Sequence, residues 1–371
     1  MNLPRICGGF LNLTQRCNLK CRYCFVHQQP KEMTYETAKD AVDFYARNAV
    51  LEATEPQVTF FGGEPMLKYK EIIKPLVEYI RSTYGDYNIS ITTNGTLLNE
   101  EVYEFFKEND VGMLLSLDGM KEIQDYNRPY HSGRGSFDDI DIKMHLKYYP
   151  GGTFRATVDP DTVHLLYENY LWGEGQGFTN CAFILNSFAD WSDEKLLILE
   201  KEINKVANHI IRNKEENKPF MSFNEFDKFN DDMDFLKNVD KNYFRDREQR
   251  SPACGSCGLG AGMYGSVGSS GNIYSCQELT ENDDTSNFII GNIYTGMKKD
   301  AREKIVSAFN TKNVKCDDNG RCKTCKIYAI CKGGCVINNY LKHGSLEIMD
   351  KALCFYYEKC FEMQKLIRGE I

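Results

Sequence analysis

The sequence predicts an α/β chain. Its first part reads as a partial (β/α)6 barrel related to the eight-stranded barrel, and a small Cys-rich α+β domain follows. Three observations carry this. Six short apolar or alternating runs recur between residues 6 and 186, with helical patterns between them. Eleven of the fifteen cysteines fall into two separated groups. From residue 252 the chain turns rich in Gly and Cys, with short strands at best.

The six runs are ICGGFLNLT (6–14), QVTFF (57–61), NISITT (88–93), VGMLLSL (111–117), TFRATV (153–158) and CAFILN (181–186). Helical patterns such as YETAKDAVDFYARNAV (35–50) and NEEVYEFFKENDV (99–111) separate them. Strands alternating with helices mean parallel βα units with right-handed crossovers. In such a sheet, chemistry sits at the C-terminal ends of the strands. A long polar helix is expected over 192–218. Residues 223–250 are charged and aromatic but weakly periodic, which fits a bridge between domains or two ordinary surface helices. The expected organisation is a core over 1–220, a bridging region over 221–250 and a metal-dependent domain over 251–371.

Of the 371 residues, 42% are hydrophobic and 26% charged, as in a soluble globular protein. The net charge of −8 argues against a nucleic-acid binder built on phosphate contacts. No stretch of about 18 apolar residues appears, so no membrane-spanning helix is expected. The N-terminus lacks a charged segment followed by an apolar one, so a cytoplasmic location without a signal peptide is expected.

Clustered cysteines at short spacings in such a chain point to metal or catalysis. One group is Cys17, Cys21 and Cys24, spaced C-x3-C-x2-C and starting three residues after the first strand. The other is Cys254, Cys257, Cys276, Cys322, Cys325, Cys331, Cys335 and Cys354. A [4Fe–4S] cube has four irons, each wanting a ligand. Three thiolates leave one iron open for a substrate or cofactor, as in catalytic metal sites. A lone triplet also fits a zinc fragment, and C-x2-C-x5-C-x3-C over Cys322–Cys335 also fits a zinc ribbon. Cys7, Cys181, Cys316 and Cys360 read as small buried or surface thiols.

The triplet with Tyr23 before its last Cys resembles the signature of radical SAM enzymes. Three more segments match the family in order, each at the C-terminal end of a strand: FFGGEP (60–65), TTNGT (92–96) and SLDG (116–119). NRPYHSGRGSF, after the fourth strand, also has family counterparts. The resemblance implies that Cys17, Cys21 and Cys24 hold a [4Fe–4S] cluster. Its open iron would chelate S-adenosylmethionine (SAM), whose cleavage yields a 5′-deoxyadenosyl radical. It implies cofactor contacts from Tyr23, Gly62, Gly63, Glu64, Asn94, Ser116 and Asp118, with the glycines letting backbone approach the ligand closely. Arg128 fits a SAM or substrate contact, and equally a surface ion pair.

The spacing C-x13-G-x4-C from Cys257 through Gly271 to Cys276, with the later cysteines, resembles the SPASM extension of radical SAM enzymes. That implies two auxiliary [4Fe–4S] clusters, making three in all. One would use Cys254, Cys257, Cys276 and Cys335; the other Cys322, Cys325, Cys331 and Cys354. Without Cys254 the first would be open to a substrate thiolate.

Among such enzymes the plan is similar to that of anaerobic sulfatase-maturating enzymes, which oxidise a Cys or Ser to formylglycine. In those, an Asp proposed as the general base follows the cysteine matching Cys276. Here Gln277 stands there, with Glu278 next, and Phe61 stands where that family has Gln before GGE. Both departures touch the substrate side. Glu278, Gln277 and His27 are weak candidates for catalytic roles. The favoured reading is therefore crosslinking, by thioether or carbon–carbon bonds, or another modification of a ribosomally made peptide. Formylglycine formation is the second, and a non-catalytic iron–sulfur electron carrier or scaffold the third. A reductant such as flavodoxin or ferredoxin is implied. With 16 residues ahead of the triplet, no leader-binding domain is expected, so a separate protein or the core would bind a leader.

Overall fold

A computed structural model describes residues 3–229, 262–283, 285–308, 315–316, 325, 327, 331 and 334–371. The strands in chain order are β1 (Gly8–Thr14), β2 (Gln57–Gly62), β3 (Asn88–Thr93), β4 (Val111–Leu115), β5 (Thr153–Val158), β6 (Asn180–Leu185), β7 (Ser222–Phe223), β8 (Tyr264–Val267), β9 (Asn272–Tyr274), β10 (Ile289–Asn292), β11 (Gly296–Met297), β12 (Lys315–Cys316) and β13 (Ile348–Met349). The chain divides into two compact units. The first comprises residues 1–115, 129–140 and 251–310; the second 116–128, 141–250 and 311–371.

In the first unit the strand order is β11-β10-β9-β8-β1-β2-β3-β4. The central run from β8 to β4 is parallel, while β8 to β11 pair antiparallel with one another. In the second unit β5, β6 and β7 form a parallel set. The parallel α/β class read from the sequence is the class observed, and all six predicted strands form within two residues of their expected positions.

Local chemistry explains the helices. Thr34 caps Tyr35–Glu52 by accepting the Thr37 N–H at 3.1 Å. Ala38, Ala41, Val42, Tyr45 and Ala49 then recur at three- and four-residue steps and are buried. Asn99 caps Glu100–Glu108 in the same way. Ser192 caps the polar helix Asp193–Glu215, which buries Leu196, Leu199, Ile203, Val206 and Ile210 on one face.

Two features differ from expectation. The Gly-rich C-terminal region does more than form isolated short strands, because β8 extends the first unit's sheet, with Gly8 opposite Tyr264 and Leu11 opposite Val267. The bridging segment begins as β7, paired to β6; residues 230–250 lie outside the described residues. Beyond β7 the edge of β6 is closed by side chains. The Glu225 carboxylate accepts the Phe183 N–H at 2.9 Å, and the Tyr356 hydroxyl donates to the Phe183 carbonyl at 2.7 Å. Burial pushes Glu225 up to about 7. Both groups of Phe183 that a further strand would have paired are thus satisfied.

Candidate active site

The triplet lies on a loop that leaves the C-terminal end of β1 and is closed at its base. The Gln15 N–H donates to Lys31 O at 3.0 Å and the Met33 N–H to Leu13 O at 2.9 Å. Residues 129–131 run alongside: Lys20 N–H donates to Pro129 O at 2.7 Å, and His131 Nε2 lies 3.1 Å from Cys17 O. Cys17 and Cys21 are half-buried and Cys24 exposed.

Cys17 Sγ accepts the Leu19 N–H at 3.4 Å and has Asn94 Nδ2 at 3.9 Å. Burial pushes the thiol up to about 12, against the Leu19 hydrogen bond, and Glu64, Cys21 and Cys24 add to the rise. The Cys17 thiol therefore stays protonated until a cation makes its thiolate favourable. The N–H donors suit sulfur ligands of an anionic cluster. Among the described residues no three Cys, His, Asp or Glu side chains converge on a single-ion site.

The GGE segment packs against the start of this loop. Gly63 N–H donates to Thr14 O at 2.7 Å and Glu64 N–H to Arg16 O at 2.9 Å. Gly62 has φ +142°, and a Cβ there would lie 2.3 Å from Thr14 O. A Cβ on Gly63 would lie 2.3 Å from Arg16 O. The sequence reading assigned these glycines to ligand approach; in the structure the backbone they admit is the protein's own. Glu64 is 1% exposed. Its Oε1 accepts from Met66 N at 3.0 Å and Thr93 Oγ1 at 2.8 Å, and its Oε2 from Asn94 N at 2.8 Å. The carboxylate expected to face the cofactor thus joins the ends of β2 and β3. Burial pushes it up to about 7 despite these three bonds. Asn94 donates to Asn18 Oδ1 at 2.9 Å, tying the β3 end to the triplet loop. Phe61 packs edge-on to Phe10, with centroids 5.4 Å apart, and parallel to Phe25 at 6.3 Å.

Ser116, Asp118 and Arg128 belong to the second unit. Asp118 is fully buried. It pairs with Arg128 Nη2 at 3.0 Å and accepts the Thr157 N–H at 2.9 Å. Its backbone carbonyl accepts from Asn169 Nδ2 at 2.7 Å. The Asp118–Arg128 pair is buried rather than a surface ion pair and ties residues 116–128 to β5. Ser116 is half-buried.

Cys276 and the side chains after it belong to the first unit. The Cys276 thiol donates to Gln277 Oε1 at 3.4 Å; Gln277 and Glu278 are half-buried. His27 Nδ1 lies 3.1 Å from Asp283 Oδ2, an exposed loop contact. Tyr23 is half-buried. Cys325, Cys331, Cys335 and Cys354 are half-buried in the second unit. Cys254, Cys257 and Cys322 lie outside the described residues. Cys7, Cys181 and Cys360 are buried.

Known proteins bear on this arrangement. Residues 11–144 match the Radical SAM superfamily. An uncharacterised protein of Methanocaldococcus jannaschii is 40% identical over 139 residues, which cover 37% of this chain and 46% of that one. A cysteine-type anaerobic sulfatase-maturating enzyme of Clostridium perfringens is 28% identical over 340 residues, covering 86% and 85%. Two solved structures share the fold. One is native anSMEcpe with bound AdoMet and Cp18Cys peptide, with TM-score 0.73, 21% identity and 98% and 99% of the two chains covered. The other is Streptococcus suis SuiB bound to precursor peptide SuiA, with TM-score 0.59, 16% identity and 95% and 76% covered. Four motifs thus stand in order on a parallel βα fold, and residues 11–144 are similar to the Radical SAM superfamily.

Proposed function

We propose that this chain is a radical SAM maturase that modifies a peptide or protein substrate. The observation that carries it is the Cys17–Cys24 loop, held against Gly63, Glu64 and Asn94 at the ends of β2 and β3, with N–H donors aimed at the Cys17 sulfur. Cys17, Cys21 and Cys24 would hold the open cluster, with SAM beside Tyr23, Gly62, Gly63 and Asn94. Bound there, cluster and SAM would supply a 5′-deoxyadenosyl radical that takes hydrogen from the substrate. In this reading Glu64, Asp118 and Arg128 position the strand ends. The C-terminal cysteines would hold two auxiliary clusters over 251–371. A flavodoxin or ferredoxin would supply the electron.

Two substrate classes follow from the relatives. The clostridial match across most of both chains favours formylglycine formation. Gln277 favours the other, a crosslink or related change in a ribosomal peptide. A neutral amide takes up no proton. We favour the second. Mass spectrometry of reconstituted protein with two peptides tests it: a Cys-containing sulfatase-type peptide, and a Cys- and Thr-containing precursor-type peptide. Loss of two hydrogens from the precursor supports the crosslink. Exchange of sulfur for oxygen with loss of two hydrogens in the first peptide would replace it with formylglycine formation. No change in either, with SAM cleaved, would overturn both substrate classes.

A further inference from the structure

We infer that Asn282 is a positioning residue that locks the triplet loop to the Cys276–Glu278 turn, with Asp283 as its outer fastening. The contacts join residues 255 to 257 positions apart in sequence. They lie within one compact unit.

The Asn282 amide uses both ends. Its Oδ1 accepts the His27 N–H at 3.0 Å, and its Nδ2 donates to Phe25 O at 3.0 Å. It thereby meets a donor and an acceptor of the backbone just after Cys24, as a neighbouring strand would. The same Nδ2 donates to Glu278 O at 2.7 Å, so one amide spans the loop and the turn that carries Gln277 and Glu278. The Thr285 hydroxyl donates to Asn282 O at 2.7 Å and anchors the residue from behind.

Its neighbours repeat the pattern. Gln15, fully buried, donates from Nε2 to Thr280 O at 3.0 Å. Lys31 Nζ donates to Glu281 O at 2.8 Å. Asp283 accepts from Gln29 Nε2 at 2.9 Å and meets His27 Nδ1 at 3.1 Å. Four consecutive residues, 280–283, each bond a different part of the loop between residues 15 and 31. The loop's own base joins residues 13–15 to 31–33, and within the loop Gln28 Nε2 donates to Leu19 O at 2.9 Å. Residues 25 and 27, between these ties, take their backbone partners from Asn282, so a displacement of the Cys276–Glu278 turn reaches the stretch after Cys24 through that side chain.

This rests on the triplet holding the SAM cluster, and the test separates the two. Asn282→Asp is nearly isosteric and keeps an acceptor for His27 N–H, but faces a carboxylate toward two carbonyls. Reconstituted full-length protein is compared with this variant by amide hydrogen exchange over residues 24–29 and by the change SAM causes in the reduced cluster's EPR signal. Exchange faster by about tenfold is expected, the scale for losing about one net hydrogen bond. A smaller SAM-induced EPR change at unchanged iron content is expected with it. Asp283→Ala, which removes only the outer fastening, should give a lesser rise; it serves also if Asn282→Asp does not fold. Exchange and EPR like wild type in these variants would overturn the proposal. A wild-type protein whose EPR signal ignores SAM would instead refute the cluster assignment, and the exchange comparison would still decide the lock.

Discussion

Replacing Arg128 with Met should destabilise the protein by about 3 kcal/mol, through Asp118. The carboxylate has no exposed surface and loses a guanidinium at 3.0 Å. Removing one partner of a buried pair costs about 3–5 kcal/mol, because an uncompensated charge stays buried. The Thr157 N–H at 2.9 Å remains and holds the expectation to the lower end. Asp118→Asn keeps an acceptor for that N–H and strands the guanidinium, costing about 2 kcal/mol. The double variant strands neither charge, so it should cost about 2 kcal/mol, leaving a coupling of about 3 kcal/mol. Urea unfolding of iron-free protein measures all three without a contribution from bound cofactor. Additive costs, with SAM binding lost from stably folded single variants, would refute the ion-pair account and restore direct cofactor contact.

Glu64 makes a pH prediction. Its folded value is raised from 4.5 to about 7, so its contribution to stability is present below pH 4.5 and is lost as pH rises through 7. The loss is about 3 kcal/mol at about 1.4 kcal/mol per unit. Glu64→Gln should flatten that slope in urea midpoints of iron-free protein; an unchanged slope would remove Glu64 as its source. Ser192→Ala should cost about 1 kcal/mol by unsatisfying the Lys195 N–H, read from the same unfolding curves. Iron analysis of anaerobically reconstituted protein should give about twelve irons, falling to about eight when Cys17, Cys21 and Cys24 are all Ala. About four falling to none would mean the C-terminal cysteines hold zinc or nothing.

What the sequence made legible follows from periodicity. β5 and β6 alternate buried and half-buried residues along their length, and Ser192, Asn99 and Thr34 stand one residue ahead of their helices. The triplet, GGE and Asn94 were legible as motifs, and the fold brings those three together. β7 and β8 were not legible, because two- and four-residue strands such as SF and YGSV are too short to show a period. Partners were harder still. Glu64 and Asp118 were singled out as cofactor residues, yet their carboxylates bond protein groups that linear order does not reveal. Asn282 sits in a polar loop where no pattern marks it, and only the return of residues 280–283 to the triplet loop exposes it.

The central claim, that Cys17, Cys21 and Cys24 carry an open cluster that cleaves SAM, has one direct measurement. It is the yield of 5′-deoxyadenosine from reduced, reconstituted protein and from the variant with all three cysteines replaced by Ala. The account predicts 5′-deoxyadenosine from wild type and none from the variant. None from wild type with its iron in place, or equal yields from both, would contradict it.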